Sequence, residues 1–362
     1  MIHIASPDIG AEAQDAVADV LESGMLADGP VVRDFEDEFA AYCGADHAVA
    51  TSNGTTALHA TLEAFGIGAG DRVMTTPFSF IATANAIRLA GAEPVFADID
   101  PETFNLDPEK ARSIAQSVDI DAILAVHLYG LPAEMEPLAE LATKLDVPLI
   151  EDAAQAHGAA YRDDRVGSIG DAACFSFYPT KNMTTGEGGI VTTDRDDIDR
   201  ALRQFINHGR DPKGTGGYEH VSVGHNFRMT SMAAAIGRAQ LERLPEFIEL
   251  RRANAARLSD GLTNIDGVTP PTEPAHMTHV YHQYTIRTEQ RDKLAAYLDD
   301  NGVGTGIYYP TPIHEQPAYD DLSVSAPIAE WAAEEVLSLP VHPGVDADDI
   351  DHIVEVIADY AA

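Results

Sequence analysis

Ser176-Phe-Tyr-Pro-Thr-Lys-Asn-Met-Thr-Thr-Gly-Glu-Gly-Gly189 is the stretch from which the organisation of this 362-residue chain is read. An apolar run, Ala172-Ala-Cys-Phe-Ser-Phe-Tyr178, leads into it, and a second, Ile190-Val-Thr-Thr193, comes after it. Two strands are predicted there, with a lysine in the loop between them, a serine upstream and a glycine cluster downstream. Most lysines are solvated surface charges. Lys181 instead sits among aromatic and small residues, in a chain that has five lysines in all. Such a setting strips water from the amine, lowers its pKa and makes it a nucleophile toward an aldehyde. Lys181 is therefore the candidate Schiff-base lysine.

Outward from this stretch, strands and helices alternate. Val32, Phe35, Phe39, Tyr42 and Cys43 predict a helix over 31–43, ended by Gly44. A strand over 47–51 comes next. Then Ser52-Asn-Gly-Thr-Thr-Ala-Leu58 turns into an amphipathic helix through Leu62 and Phe65. At that turn Gly54, Thr55 and Thr56 bring backbone N–H groups and hydroxyls to one point, where a phosphate is favoured. Taken alone, the turn reads more simply as an ordinary helix cap.

Strands are predicted over 72–76, 94–98, 121–127 and 147–152, with helices over 80–89 and through Met135, Leu138, Leu141 and Leu145. This alternation argues for an α/β fold, a mostly parallel sheet with helices on both faces. Ligands of such sheets bind beyond the carboxyl ends of the strands. Asp152 falls at one such end, and Ser176 and Lys181 at the next.

After residue 245 the pattern changes to a long helix over 241–262, proline-rich turns, a strand over 279–287 and further helices. A large α/β domain over 1–245 and a smaller α+β domain over 246–362 are expected.

The chain carries 59 acidic and 23 basic residues, a formal net charge of −36 at pH 7. A surface of that sign repels nucleic acid and anionic lipid, which removes both as partners. The acids are scattered, as in Asp194-Arg-Asp-Asp-Ile-Asp199, a distribution that suits work in strong salt, and a halophilic source is expected. No apolar run is long enough to span a bilayer, and the N-terminus lacks the basic and apolar regions of a signal peptide. Two cysteines, Cys43 and Cys174, make no disulfide framework, so a reduced cytoplasm is the expected location. His276, His279 and His282 recur every third residue, but in a strand-like run where alternate side chains face opposite ways. With no CxxC pair or HExxH beside them, no metal site is expected.

Pyridoxal phosphate needs an amine for its aldehyde, a carboxylate for its ring nitrogen, a phosphate cradle and a surface against its ring. Lys181 can supply the first, Asp152 the second, Thr55 and Thr56 with Ser176 the third, and Phe80 the fourth. An aspartate ending a strand is by itself usually a turn or cap residue. The weight lies in all four falling at strand ends of one sheet.

Glu151-Asp-Ala-Ala-Gln-Ala-His-Gly158, Gly170-Asp-Ala-Ala-Cys-Phe-Ser-Phe-Tyr-Pro-Thr-Lys-Asn182 and Gly186-Glu-Gly-Gly189 resemble the signature blocks of the DegT/DnrJ/StrS aminotransferases. The similarity extends through Gly29-Pro30, Gly224-His-Asn-Phe-Arg-Met229, His279-Val-Tyr-His-Gln283 and Tyr309-Pro-Thr-Pro-Ile-His314. These are nucleotide-sugar enzymes of fold-type I, dependent on pyridoxal 5'-phosphate. The resemblance implies that Lys181 holds the cofactor and shuttles the proton, Asp152 binds the ring nitrogen, and Gln155 contacts the ring-oxygen side. It implies Thr55, Thr56 and Ser176 on the phosphate, with Asn226 reaching the phosphate of the neighbouring subunit in a homodimer with shared active sites. Tyr309 and His314 match a loop that lines the sugar-nucleotide site.

Two departures stand out. Asn53-Gly54-Thr55 replaces the usual Ser-Gly-Thr, and asparagine tolerates a left-handed backbone and can still cap the turn. Phe80 stands where some relatives carry tryptophan, which implies a weaker stack. Relatives that dehydrate a deoxysugar carry histidine in place of the lysine, so Lys181 favours transamination. The expected activity moves an amino group from an amino acid, glutamate foremost, to a keto group of a nucleotide-linked sugar. A sugar dehydratase, or a non-catalytic sensor on the same fold, is the alternative.

Overall fold

The structure, a computed structural model, describes residues 1–211 and 218–361. Its large sheet is built from β1 (His47–Thr51), β2 (Arg72–Thr75), β3 (Glu93–Phe96), β4 (Ala122–Val126), β5 (Leu149–Asp152), β8 (Ala172–Ser176) and β9 (Gly189–Thr193). These seven strands lie in the spatial order β1-β9-β8-β5-β4-β2-β3. Short strands β6 (Ala160–Tyr161), β7 (Asp164–Arg165) and β10 (Met277–Thr278) form a ribbon beside it, and β11 (Tyr284–Arg287) pairs with β12 (Val336–Leu339). Within the large sheet only β9 runs against its neighbours, β1 and β8. The α/β expectation with a mostly parallel sheet is met.

The reversal of β9 sets where the lysine loop lies. Ser176 pairs with Gly189, and Gly189 with Thr51, so the 177–188 loop turns back at the carboxyl edge of the sheet. Lys181 is carried on that loop, beside the end of β1.

Helices α1 (Gly10–Ser23), α2 (Pro30–Cys43), α3 (Gly54–Ala64), α4 (Ala82–Leu89), α5 (Pro108–Ile114), α6 (Met135–Leu145) and α7 (Asp196–Phe205) precede the 32-residue α8 (Ser231–Leu262). Among the described residues α9 (Arg291–Asp300), α10 (Pro327–Glu335) and α11 (Ala347–Ala361) follow it. Consecutive residues of a strand face opposite sides of its sheet, and β8 shows this directly. Ala173 and Phe175 pack with Phe35 and Phe39 of α2 and Leu244 of α8, whereas Ala172 and Cys174 pack with Leu58 and Leu62 of α3. Both faces are therefore covered, which is why β4 and β5 are buried at every position.

Helix α8 begins ten residues before its expected start. Thr230 caps it, its hydroxyl accepting from the amide of Ala233 at 3.2 Å. Its first buried residues are small (Ala234, Ala235, Gly237), so the apolar stripe is faint in the sequence. The helix also runs unbroken through position 245, with Leu241 and Leu244 in one core and Leu258 and Leu262 in the C-terminal core.

The strand expected over 279–287 is confined to its last four residues. Residues 279–283 run along the turn Leu128–Gly130 instead. Val280 N–H donates to Gly130 O at 3.0 Å, Gln283 N–H to Tyr129 O at 3.2 Å, and Tyr281 adopts a positive φ of 44°. Among the described residues no helix is long and apolar enough to cross a membrane.

Candidate active site

The turn between β1 and α3 is closed by a reciprocal cap. Asn53 Oδ1 accepts from Thr56 N–H at 2.9 Å, and Thr56 Oγ1 accepts from Asn53 N–H at 3.1 Å. Asn53 is extended (φ −169°, ψ 173°), so the left-handed tolerance expected of asparagine is not used; only its capping ability is. The Thr56 hydroxyl in turn donates to Asn53 O at 2.8 Å, which ties it to the turn.

The first amides of a helix have no intrahelical acceptor, which leaves those of Gly54 and Thr55 available. A Cβ at Gly54 would stand 2.7 Å from the Cβ of Ser176, so only glycine lets the start of α3 approach the end of β8 this closely. The amides of α3 and the Ser176 hydroxyl converge there on a seat suited to a phosphate.

Across the carboxyl edge, β5 ends at Asp152, which is buried. Its Oδ2 accepts from Thr83 Oγ1 at 2.7 Å and its Oδ1 from Ala154 N–H at 3.3 Å. Burial raises the Asp152 pKa, while the Thr83 bond, the Ala154 bond and the charge of Lys181 pull it back. Burial also brings the Lys181 amine down to about 8, opposed by the negative charge of Asp152. Lys181 N–H donates to Tyr178 O at 2.9 Å, which fixes the loop. Beneath Asp152 lies a fully buried pair, His127 Nε2 and Glu151 Oε2 at 2.9 Å. The other oxygen of Glu151 takes the amides of Ile169 and Gly170 at 3.0 and 2.9 Å, which locks β5 to the chain entering β8.

Gln155 Nε2 donates to Tyr309 Oη at 3.2 Å, and its Oε1 accepts from Tyr129 N–H at 2.8 Å. Phe80 stands in the turn before α4, which starts at Ala82, and its ring is 6.1 Å from that of Tyr309. Gly54, Thr55, Thr56, Phe80, Asp152, Gln155, Ser176, Lys181 and Tyr309 thus line one cavity of about 670 Å³, in the usual range for a small-molecule site. Lys181 is the one Lys or Arg side chain among the described residues of its wall.

Asn226, expected at the neighbouring subunit's site, lies on an exposed segment, bridged to Asn207. One residue expected at this site is not brought to its wall. His314 is buried away from the cavity, its Nε2 3.2 Å from Glu330 Oε1, because Ile313 N–H is anchored on Pro77 O and turns the next side chain toward α10. His314, Glu315 and Glu330 place ligand-type atoms within 4.8 Å of one another, and His314 is paired with Glu330 among them. The alternation argument used for His276, His279 and His282 fails, because they are not in a strand. His276 Nε2 pairs with Glu134 at 3.0 Å, His279 is buried and neutral with its pKa near 3, and His282 lines the cavity.

Thr83, Ser79, Glu187 and His282 also line the cavity; Glu187 and His282 fall within the blocks 186–189 and 279–283, whereas no sequence motif points to Ser79 or Thr83. Thr83 and Ser79 lie beside Phe80 in the chain, and that proximity is the one signal the sequence holds for them.

Residues 7–358 match the DegT/DnrJ/EryC1/StrS aminotransferase family. The chain is 41% identical to a pleiotropic regulatory protein of Geobacillus stearothermophilus over 96% of this chain and 94% of that one. It is 39% identical to UDP-2-acetamido-2-deoxy-3-oxo-D-glucuronate aminotransferase of Pseudomonas aeruginosa over 91% of each. Among solved structures it resembles S. venezuelae DesV in complex with a ketimine intermediate, with a TM-score of 0.93 and 39% identity over 97% of this chain and 94% of that one.

Proposed function

Because this chain belongs to the DegT/DnrJ/EryC1/StrS aminotransferase family, we propose that its cavity transfers an amino group with Lys181 as the catalytic amine. The protein is a pyridoxal-phosphate-dependent aminotransferase acting on nucleotide-linked sugars. One observation carries the residue assignment: an amine with its pKa lowered to about 8 shares a cavity wall with the buried carboxylate of Asp152.

The residues present fit the cofactor. The absence of a Cβ at Gly54 lets the first amides of α3 come up against Ser176, and the Lys181 amine and the Asp152 carboxylate line the same cavity. When bound, pyridoxal phosphate supplies an aldehyde that takes up amino groups and a ring that draws electrons from the adjoining carbon. Gly54, Thr55 and Ser176 hold the phosphate, with Thr56 building the turn. Asp152 would favour a proton on the ring nitrogen by its charge. Gln155, held by Tyr129 and Tyr309, would be the partner for the ring oxygen. Phe80, on the same cavity wall, would lie against the ring. With its amine free, Lys181 would serve as the base that takes a proton from the substrate carbon next to nitrogen, and as the acid that gives it back.

The amino donor is glutamate, and the working unit is a homodimer with shared sites. Phe80 and Tyr178 on the cavity wall are 55% and 49% exposed, and Val223 near Asn226 is 89% exposed, an apolar surface suited to a second copy. Phe227 O accepts from Ser52 N–H at 2.7 Å, which mounts the Asn226 segment beside the phosphate turn and leaves Asn226 free to reach across. A cytoplasmic location suits the two unpaired, buried cysteines.

Incubation with [15N]glutamate and a panel of nucleotide keto-sugars tests this reading. A 15N-amino sugar supports it. A dehydrated sugar without nitrogen, or no turnover with any acceptor, contradicts it.

A further inference from the structure

We propose that Thr83 is a positioning residue for the transfer: backed by Ser79, its hydroxyl holds Asp152 ionised and fixed in orientation toward the cofactor ring. The inference rests on the reading of Asp152 as the ring-nitrogen partner.

The geometry is a short chain of hydroxyls. Ser79 Oγ lies 2.8 Å from Thr83 Oγ1, which lies 2.7 Å from Asp152 Oδ2, and all three residues are buried. Thr83 has one hydroxyl proton. If it is given to Asp152, the Thr83 oxygen is left to accept from Ser79, so the chain runs Ser79 to Thr83 to Asp152. Each donor then points toward the carboxylate, and bonds to an ionised acceptor are about twice as strong as neutral ones. Were Asp152 protonated, its own proton would point at Thr83 and the chain would have to reverse.

The arrangement answers a specific problem. Asp152 is out of water, which favours its neutral form, and the charges that act on it are those of Lys181 and His127. Lys181 must lose its charge to act as a nucleophile, and His127 is committed to Glu151 at 2.9 Å. Among the chain's own groups, hydrogen bonds that do not titrate are what remain to hold the carboxylate ionised while Lys181 changes state. With Thr83 on Oδ2 and the Ala154 amide on Oδ1, the plane of the carboxyl group is also set.

The test uses the loaded protein with cofactor labelled with 15N in its ring, read by NMR, alongside cofactor affinity and thermal melting. In the wild type the ring nitrogen resonates at its protonated value. Thr83→Val keeps the shape and removes the hydroxyl; its resonance moves toward the unprotonated value and cofactor binding weakens about tenfold. Thr83→Ser restores the wild-type resonance. If Thr83→Val does not fold, Ser79→Ala, which removes only the outer link, moves the resonance in the same direction by less. A wild-type resonance in a folded Thr83→Val, or in Ser79→Ala if that is the only folded variant, overturns the proposal. Failure of the wild type to bind pyridoxal phosphate would instead overturn the functional reading beneath it.

Discussion

Gly54 and Ser176 come together so closely that a Cβ on the glycine would lie 2.7 Å from the Cβ of the serine and 3.4 Å from its Cα. No positive φ at Gly54 demands this glycine; the neighbouring strand does. Two elements far apart in the chain, the start of α3 and the end of β8, are thereby joined into one anion seat.

Gly54→Ala should disturb that seat. The contact is with backbone as well as side chain, so either α3 or the end of β8 must shift. Overpacking of this kind costs about 1–3 kcal/mol, roughly a 5- to 150-fold loss in cofactor affinity if the strain falls on the seat. Equilibrium dialysis against pyridoxal phosphate measures it. Wild-type affinity would show that the convergence does not hold the phosphate.

Capture of the cofactor by cofactor-free protein should depend on pH. Only the neutral amine attacks an aldehyde, and burial places the Lys181 amine near 8. Below that value the rate should rise about tenfold per pH unit, and above it the rate should level off. Stopped-flow absorbance from pH 6 to 9 gives the profile. A rate still rising steeply through pH 9 would indicate an amine with an ordinary lysine pKa.

Much of this site was legible in sequence because strand ends are easy to place in an alternating α/β chain. Asp152, Ser176 and Lys181 needed only that β5 and β8 end where their apolar runs end. Thr83 was not legible: its partner Asp152 lies 69 positions away, and no local pattern says which hydroxyl will reach it. The placement of His314 off this cavity wall was not legible for a similar reason, since Ile313 beside it bonds Pro77 O, a contact between distant loops. The 279–283 segment carries alternating bulky residues, as a strand would, yet its backbone partners belong to a turn rather than to a strand edge.

The homodimer proposal predicts a solution mass twice the 38.8 kDa of the chain. Val223→Asp, which puts a charge on the exposed apolar surface, should weaken association and lower cofactor affinity together, because Asn226 would no longer reach across. Analytical ultracentrifugation with dialysis on the same samples checks both. A monomeric wild type with full activity would contradict the shared site.

Salt should raise stability. With a net charge of −36, self-repulsion is strong at low ionic strength and is screened within about 3 Å at 1 M. The melting temperature should climb by at least several degrees between 0.1 M and 2 M KCl. Indifference to salt would remove the halophilic reading and leave the chemistry untouched.

The central claim is that Lys181 is the residue that takes up pyridoxal phosphate. Borohydride reduction of the loaded protein, followed by proteolysis and mass spectrometry, tests it directly among the five lysines of the chain. The account predicts the phosphopyridoxyl mass on the peptide containing Lys181 and its absence in Lys181→Ala. Labelling of another lysine, or none in a protein that still turns over, would contradict it.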